Sequence, residues 1–435
     1  MDISIIGASG TVGRQIAIGL ARSGLVPTNA RLQLVGRRGG ASEQSLPGIA
    51  VDLADALAED LPEIDLAFTP KDVVGDIIIL VAGDAVGRGD KRSRAELAVN
   101  NRPVVEAYAR AIAESGHGEE LLLVLTNPVE ACVAWCTRYI DRRRVIGMGA
   151  YLDTLRFRQE IAHDLGVRRQ RVQGLVLGEH GPRMVPCWST VDVLGFDSEE
   201  GRARLAALRR PRDPSVAEAV RIVVDVAEKR GARAAYARAD RFGPGLRVAV
   251  KPSVTQLCGA RSPASTAEMI LRLLSTLLSG GQVLTAAQVA LEGEFLGMHG
   301  VTGAPIVMTL NGVDRVLSYD LPADERAQVR ASLYVDEEAG RRTSRRASAE
   351  PDAPQPTERF RFVLRIASGA LPGTVERVSA VFAGRGINLE SVQTASSPHP
   401  TLTLRFRATA RVKDYLTRRL SRIRDVVRVE AARAG

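Results

Sequence analysis

Four short stretches of this chain carry side chains suited to proton transfer on a bound anion. "RGDKRSRAEL" holds Arg88 and Arg94 six residues apart, in a loop after an apolar run. "VLTNP" brings Asn127 to the end of another apolar run. "LDTLRF" sets Asp153 and Arg156 three apart, and "LGEHGPRMVP" places His180 among glycines. An imidazole titrates near neutrality, and a carboxylate on its second nitrogen fixes the tautomer and steadies the imidazolium. Guanidinium groups bind carboxylates as planar forks and stabilise developing negative charge. Asp153 and Arg156 also suit a plain surface pair on one helix face. A fifth stretch, the opening "MDISIIGASGTVGRQIAIGL", spaces Gly7, Gly10 and Gly13 three apart between an apolar run and a helix-like run. A strand, a glycine turn and a helix N-terminus make a cradle for a pyrophosphate.

The elements that must hold these groups follow from hydrophobic periodicity. "DISIIG", "RLQLVG", "DIIILVAG", "LLLVLTNP" and "RVIGMGA" read as buried strands. They alternate with helices at 11–22, 94–115, 128–138 and from about Leu152. That alternation predicts a doubly wound parallel sheet, a Rossmann domain over 1–150. Beyond residue 167 the pattern becomes mixed. "VQGLVLGEHG" and "STVDVLG" read as strands and 213–235 as a long helix. "GVTGAPIVMTLNGVDRVLSYDL" reads as a hairpin or meander and "PADERAQVRASLYVDEEA" as a last helix. This predicts an α+β domain over 151–338. Residues 339–358, rich in Arg, Ser, Ala and Pro, read as a flexible linker. Residues 359–432 read as strand, helix, strand, strand, helix, strand, the ferredoxin-like βαββαβ pattern.

With 435 residues the chain exceeds one ordinary core, and 45% hydrophobic content suits buried cores without a membrane-spanning run. No leader-like stretch opens it, and Cys132, Cys136, Cys187 and Cys258 form no zinc spacing. Buried thiols in a cytoplasmic protein without a metal or membrane partner are expected. The net charge of +9 lies almost wholly in the last hundred residues, where 19 Lys and Arg face 11 Asp and Glu. "GRRTSRRAS" reads as linker and "YLTRRLSRIR" as the exposed face of a helix. Aromatics make up 4% and offer no stacking platform, so no nucleic-acid partner is expected. The second strand ends "LVGRRGG", with Gly36 where an NAD site places an acid and Arg37 and Arg38 beyond it. An acid repels a 2′-phosphate and arginine pairs with it, so the cofactor reads as NADP before NAD.

Taken in order, "GASGTVG", "GIAVDLADAL", "RSRAEL", "TNPV", "LDTLRF", "GEHG" and "VALEGEFLG" give residues 1–335 a resemblance to the lactate/malate dehydrogenase family, most of all to its NADP-using malate dehydrogenases. The resemblance implies His180 as general acid/base with Asp153 on its other nitrogen. It implies Arg156 on the C1 carboxylate, Arg94 on the reacting carbonyl and Arg88 on a distal carboxylate, hence a small dicarboxylate substrate. It implies cofactor contacts from Gly7, Ser9, Gly10, Thr11, Val12, Gly13, Arg37, Arg38, Asn101 and Asn127, with Asn127 also touching substrate, and a homodimer or homotetramer. The chain departs from the family at three places. The arginine loop reads "VGRGDKRSR", which makes Arg92 a rival to Arg88. Pro182-Arg183 follows "GEHG". The 231–266 segment is lengthened, leaving Ser262 and Ser265 as the candidates for its site hydroxyl.

The tail, through "LPGTVERVS" and "GINLESV", resembles an ACT domain, a regulatory module that binds small amino acids. That resemblance implies an effector site flanked by Gly373 and Asn388. Two other functions fit the same motifs: a dehydrogenase of another 2-hydroxy acid such as lactate, and a non-catalytic NADP(H) sensor.

Overall fold

The structure, a computed structural model, describes residues 1–84, 93–209, 213–257, 262–336, 356–367, 370–396 and 400–434. The chain divides into two compact units. One joins Met1–Ala82, Glu106–Leu122 and Glu337–Gly435, and the other joins Gly83–Val105 and Leu123–Asp336.

In the first unit β1 (Ile3–Ile6), α1 (Thr11–Ser23), β2 (Arg31–Val35), α2 (Ala41–Leu57), β3 (Glu63–Ala67) and β4 (Ile77–Leu80) build a parallel sheet of order β3-β2-β1-β4. Ile3 lies opposite Leu32 on one side and Ile77 on the other. Ile3, Ile5, Leu32, Leu34 and Ile77–Leu80 are buried, as sheets covered on both faces require. Helix α1 turns Ile16, Ala17, Leu20 and Ala21 inward and stops at Gly24 in the left-handed conformation. Helix α3 (Arg94–Ser115) and β5 (Leu121–Val124) each pass from one unit to the other.

The second unit contains α4 (Val129–Cys136), β6 (Val145–Gly147), α5 (Gly149–Leu165), β7 (Leu175–Gly178), β8 (Met184–Cys187) and helices α6 (Glu199–Leu208), α7 (Val216–Ala239), α8 (Pro244–Leu257) and α9 (Pro263–Leu278). It ends with β9 (Val283–Glu292), β10 (His299–Thr309), β11 (Gly312–Val316) and α10 (Ala323–Ala331). Its strands run β6-β9-β10-β7-β8, antiparallel throughout, with β11 on β10. Phe157, Ile161 and Leu165 of α5 pack against Val172, Val176, Met184 and Val248. This core fixes α5 beside β7, the two elements that carry Asp153 and lead to His180.

Two sequence expectations change here. "STVDVLG" is not a strand: Trp188–Thr190 form a 3₁₀ turn and Val193 makes one bridge to Val172. The Thr190 hydroxyl donates to the Cys187 carbonyl and accepts the Leu175 N–H, replacing ladder bonds with local ones. The last helix stops at Ala331, because Tyr334 exchanges both backbone hydrogen bonds with Val301 and draws the chain into an extended bridge.

The C-terminal region forms β12 (Glu358–Ile366), α11 (Leu371–Ala383), β13 (Leu389–Ala395), β14 (Thr401–Ala408), α12 (Ala410–Leu420) and β15 (Val426–Arg433). The sheet order is β13-β14-β12-β15, all antiparallel, which is the ferredoxin-like topology. Phe360, Phe362, Leu364, Phe382, Leu404, Phe406 and Leu416 form its core, which Val74 of the first unit's parallel-sheet region joins.

The arginines of "YLTRRLSRIR" correct the reading of an exposed helix face. Arg422 forms a two-pronged pair with Asp65 at 2.8 and 2.9 Å, Arg419 pairs with Asp2, and Tyr415 donates to the Val74 carbonyl at 2.9 Å. Arg385 pairs with Asp76, and Arg411 donates to the carbonyls of Ala113 and Gly116 at 2.7 and 3.0 Å. The basic excess of the tail is thus spent partly on the acids flanking β1, β3 and β4. Buried charges persist only where paired, and the guanidinium fork suits these carboxylates.

Candidate active site

The glycine turn of the first unit closes tightly. Gly7 donates to the Val35 carbonyl at 2.9 Å and Gly10 to the Gly7 carbonyl at 3.0 Å. Gly7 has φ of 93°, and a Cβ on Gly13 would stand 2.2 Å from the Gly7 oxygen. Only glycine permits that approach of helix to strand. Gly10 caps α1 without a side-chain hydrogen bond, and the first helical turn holds no acid. The first-turn amides, from Thr11, Val12 and Gly13, are therefore left for an anion, and the positive end of the helix dipole favours one. Ser9 is half-buried beside them. These residues fit the pyrophosphate of a dinucleotide.

Arg37 and Arg38 are exposed just beyond β2, and among the described residues neither guanidinium forms an ion pair. The Arg37 amide and carbonyl are both held by the Ser42 hydroxyl of α2. A Cβ on Gly36 would meet Ser42 and Leu46 at 2.8 Å. The close seat of α2 on the end of β2 thus leaves no room at Gly36 for the acid that holds a ribose hydroxyl in NAD sites.

In the second unit, Asp153 and His180 meet. His180 Nδ1 lies 2.6 Å from Asp153 Oδ2, and Arg156 Nη1 lies 3.3 Å from Asp153 Oδ1. Asp153 is fully buried within α5, whereas His180 keeps about 20% of its side chain exposed. The i, i+3 spacing puts Asp153 and Arg156 on one face of α5. A Cβ on Gly149 would lie 2.5 Å from His180 Cγ, so the opening of α5 is bare where the imidazole packs. Burial opposes protonation of His180, but the Asp153 charge and hydrogen bond outweigh it and Glu130 adds to them, raising the imidazole above its ordinary pKa.

Arg94 is the first residue of α3, not a loop residue. Its Nη1 donates to the His180 carbonyl at 2.6 Å and lies 2.9 Å from Glu179 Oε1. Its Nη2 reaches Glu130 Oε2 at 3.4 Å. Glu130 and Glu179 are absent from the sequence reading. The signals were an acid three residues after Asn127 and an acid next to His180, each as common on a helix or loop surface as in a site. Asn127 is exposed beyond β5. Asn101 is buried and braces the neighbouring loops. Its Nδ2 donates to the carbonyls of Asn127 (2.7 Å) and Asp84 (3.0 Å), and its Oδ1 accepts the Asp84 N–H at 2.6 Å.

Arg88 and Arg92 lie outside the described residues. Ser262 precedes α9, and the Ser265 hydroxyl donates to the Ser262 carbonyl, a local helix-start bond. In the tail, Gly373 and Asn388 are both exposed. Cys132, Cys136 and Cys187 are buried free thiols; Cys258 lies outside the described residues. Among the described residues no His, Cys, Asp and Glu group is arranged for a metal, and no helix is long and apolar enough to cross a membrane.

Residues 1–147 match the model of the lactate/malate dehydrogenase NAD binding domain. The chain is 26% identical to a malate dehydrogenase of Methanosphaera stadtmanae, over 75% of this chain and 93% of that protein. It is 29% identical to an L-2-hydroxycarboxylate dehydrogenase (NAD(P)(+)) of Methanocaldococcus jannaschii, over 77% and 96%. Among solved structures, the lactate dehydrogenase of Cryptosporidium parvum shares the fold with a TM-score of 0.59 at 21% identity, covering 80% of this chain and 98% of that one.

Proposed function

We propose that this chain, which is similar to lactate/malate dehydrogenases over most of its length, is a 2-hydroxy acid dehydrogenase that interconverts malate and oxaloacetate with NADP(H) as the preferred cofactor. The observation that carries the chemistry is the buried Asp153 on His180 Nδ1. That bond leaves His180 Nε2 to exchange a proton with the substrate. When bound, the dinucleotide would supply or take up the hydride at C2. In reduction, His180 Nε2 would give its proton to the substrate oxygen, so a 2-oxo acid, one hydride and one proton become a 2-hydroxy acid. Arg156 is the cation for the C1 carboxylate. Arg94, with five N–H donors and three used by Glu130, Glu179 and the His180 carbonyl, keeps donors for the oxygen where negative charge grows.

The choice of a dicarboxylate rests on Arg88 and on the relatives named for malate, and the choice of NADP on Gly36, Arg37 and Arg38. A non-catalytic sensor has no need of a buried carboxylate oriented on an imidazole. Purified protein assayed with both cofactors against oxaloacetate, pyruvate and other 2-oxo acids tests the reading. Oxaloacetate with NADPH should give the highest kcat/KM. A preference for pyruvate or for NADH overturns the corresponding half.

The ferredoxin-like tail functions in this reading as an ACT-type regulatory domain for a small amino acid, in a cytoplasmic homodimer or homotetramer. Its support is "LPGTVERVS" and "GINLESV" on the βαββαβ topology. A melting shift of the full chain on adding one of the common amino acids is the expected result, and no shift with any of them removes the sensing role.

A further inference from the structure

Glu130 is 2% exposed, sits in the first turn of α4 and takes no part in the chemistry above. Its two oxygens serve two residues that do. Oε1 accepts the backbone N–H of His180 at 2.6 Å, and Oε2 lies 3.4 Å from Arg94 Nη2. Arg94 closes the ring by donating to the carbonyl of the same His180 at 2.6 Å. The main chain of His180 is therefore gripped on both sides, by a carboxylate at its N–H and a guanidinium at its carbonyl. We propose that Glu130 is a positioning residue that sets the acid/base His180 and the guanidinium of Arg94 in one fixed relation; this rests on the dehydrogenase reading of the two groups it holds.

Three physical points carry the assignment. A fully buried carboxylate is costly unless every oxygen is partnered, and here both partners belong to the site. His180 sits between Gly178 and Gly181, both with positive φ that favours glycine, and the clamp grips the main chain of the residue between them. Productive proton transfer needs the imidazole held within a fraction of an ångström. Among the described residues, the charged groups facing His180 are Asp153 and Arg156 from α5, Glu130 from α4, Arg94 from α3 and Glu179 from its own turn. Glu130 also acts through charge: its carboxylate favours the imidazolium, second to Asp153.

The test compares Glu130→Gln, Glu130→Asp and Glu130→Ala in the full chain. Glu130→Gln keeps an acceptor for the His180 N–H and loses the charge. The expected result is a fall in kcat of roughly tenfold or more, with KM for cofactor unchanged. The His180 titration, followed by NMR, should move to lower pH by roughly half a unit or more. Glu130→Ala should lose more, and Glu130→Asp should recover the titration in part. A variant that melts lower yet keeps wild-type kcat and His180 titration makes Glu130 a purely structural residue and overturns the proposal. If the wild type turns over no 2-oxo acid, the dehydrogenase reading falls. The His180 titration then still decides whether Glu130 sets the state of that imidazole.

Discussion

Replacing Asp153 by Asn should remove most of the turnover while leaving the fold. Asp153 is fully buried and its one imidazole partner is 2.6 Å away. Opposite charges about 4 Å apart at an effective dielectric near 20 attract by about 4 kcal/mol. In the proposed mechanism imidazolium forms in the oxidation direction, so this stabilisation lowers that barrier, whereas in reduction it serves to keep the acid protonated near neutral pH. At about 1.4 kcal/mol per decade it amounts to roughly a thousandfold in kcat for oxidation. The amide can also turn its NH2 towards Nδ1, which places the proton on the wrong nitrogen. The pH dependence follows from the raised pKa of His180. Reduction of the 2-oxo acid falls as pH rises through that value, and oxidation falls as pH drops through it. In Asp153→Asn both limbs move to lower pH. Stability obeys the same linkage. The raised pKa contributes fully below the unfolded value of about 6.5, and the contribution is lost as pH rises through the folded value. The stability gap between wild type and variant therefore narrows in alkaline buffer. The assay is steady-state turnover in both directions, followed by reduced-cofactor absorbance from about pH 5 to 9 and paired with thermal melts. A loss of less than tenfold, or an unmoved pH profile, refutes the role of Asp153 as partner of His180.

Arg37→Ala with Arg38→Ala should lower kcat/KM for NADPH by roughly tenfold or more while leaving NADH nearly unchanged, because each exposed fork loses a phosphate contact; equal losses on both cofactors contradict the assignment. Gly149→Ala puts a methyl where His180 Cγ stands 2.5 Å away, so kcat should fall with little change in cofactor affinity, and wild-type turnover would show that the imidazole lies elsewhere in catalysis. Arg422→Met leaves Asp65, which also accepts from Gln33, short of a partner. The half-buried pair should cost about 1–2 kcal/mol, discounted for its partial exposure, seen as a melting temperature lower by a few degrees; an unchanged melt means the tail is not anchored through this pair.

How far residues next to one another in sequence interact decided what could be read early. The glycine turn, the strands of Ile and Leu, the helix at 94–115 and the i, i+3 pair of Asp153 and Arg156 are local. Backbone freedom and periodicity of 2 or 3.6 express them directly, and the structure has them. Local pattern misled where a side chain competes with its own backbone, as Thr190 does in "STVDVLG", or where a distant strand recruits the chain, as Val301 does to Tyr334. The contacts that complete the site span long separations. Glu130 reaches His180 across 50 residues and Arg94 across 36, and Gly36 is crowded by a helix whose tilt no spacing encodes. The arginines of "YLTRRLSRIR" have the composition of a solvated helix face. Only the fold brings Asp65, some 357 residues earlier, to Arg422 and turns surface charge into paired, half-buried charge. Sequence alone determined the residue types and local geometry that make this chemistry available. Tertiary structure decided which charges meet, because the pairing energy of a carboxylate and a guanidinium depends on distance and burial in space, and neither is a property of order along the chain.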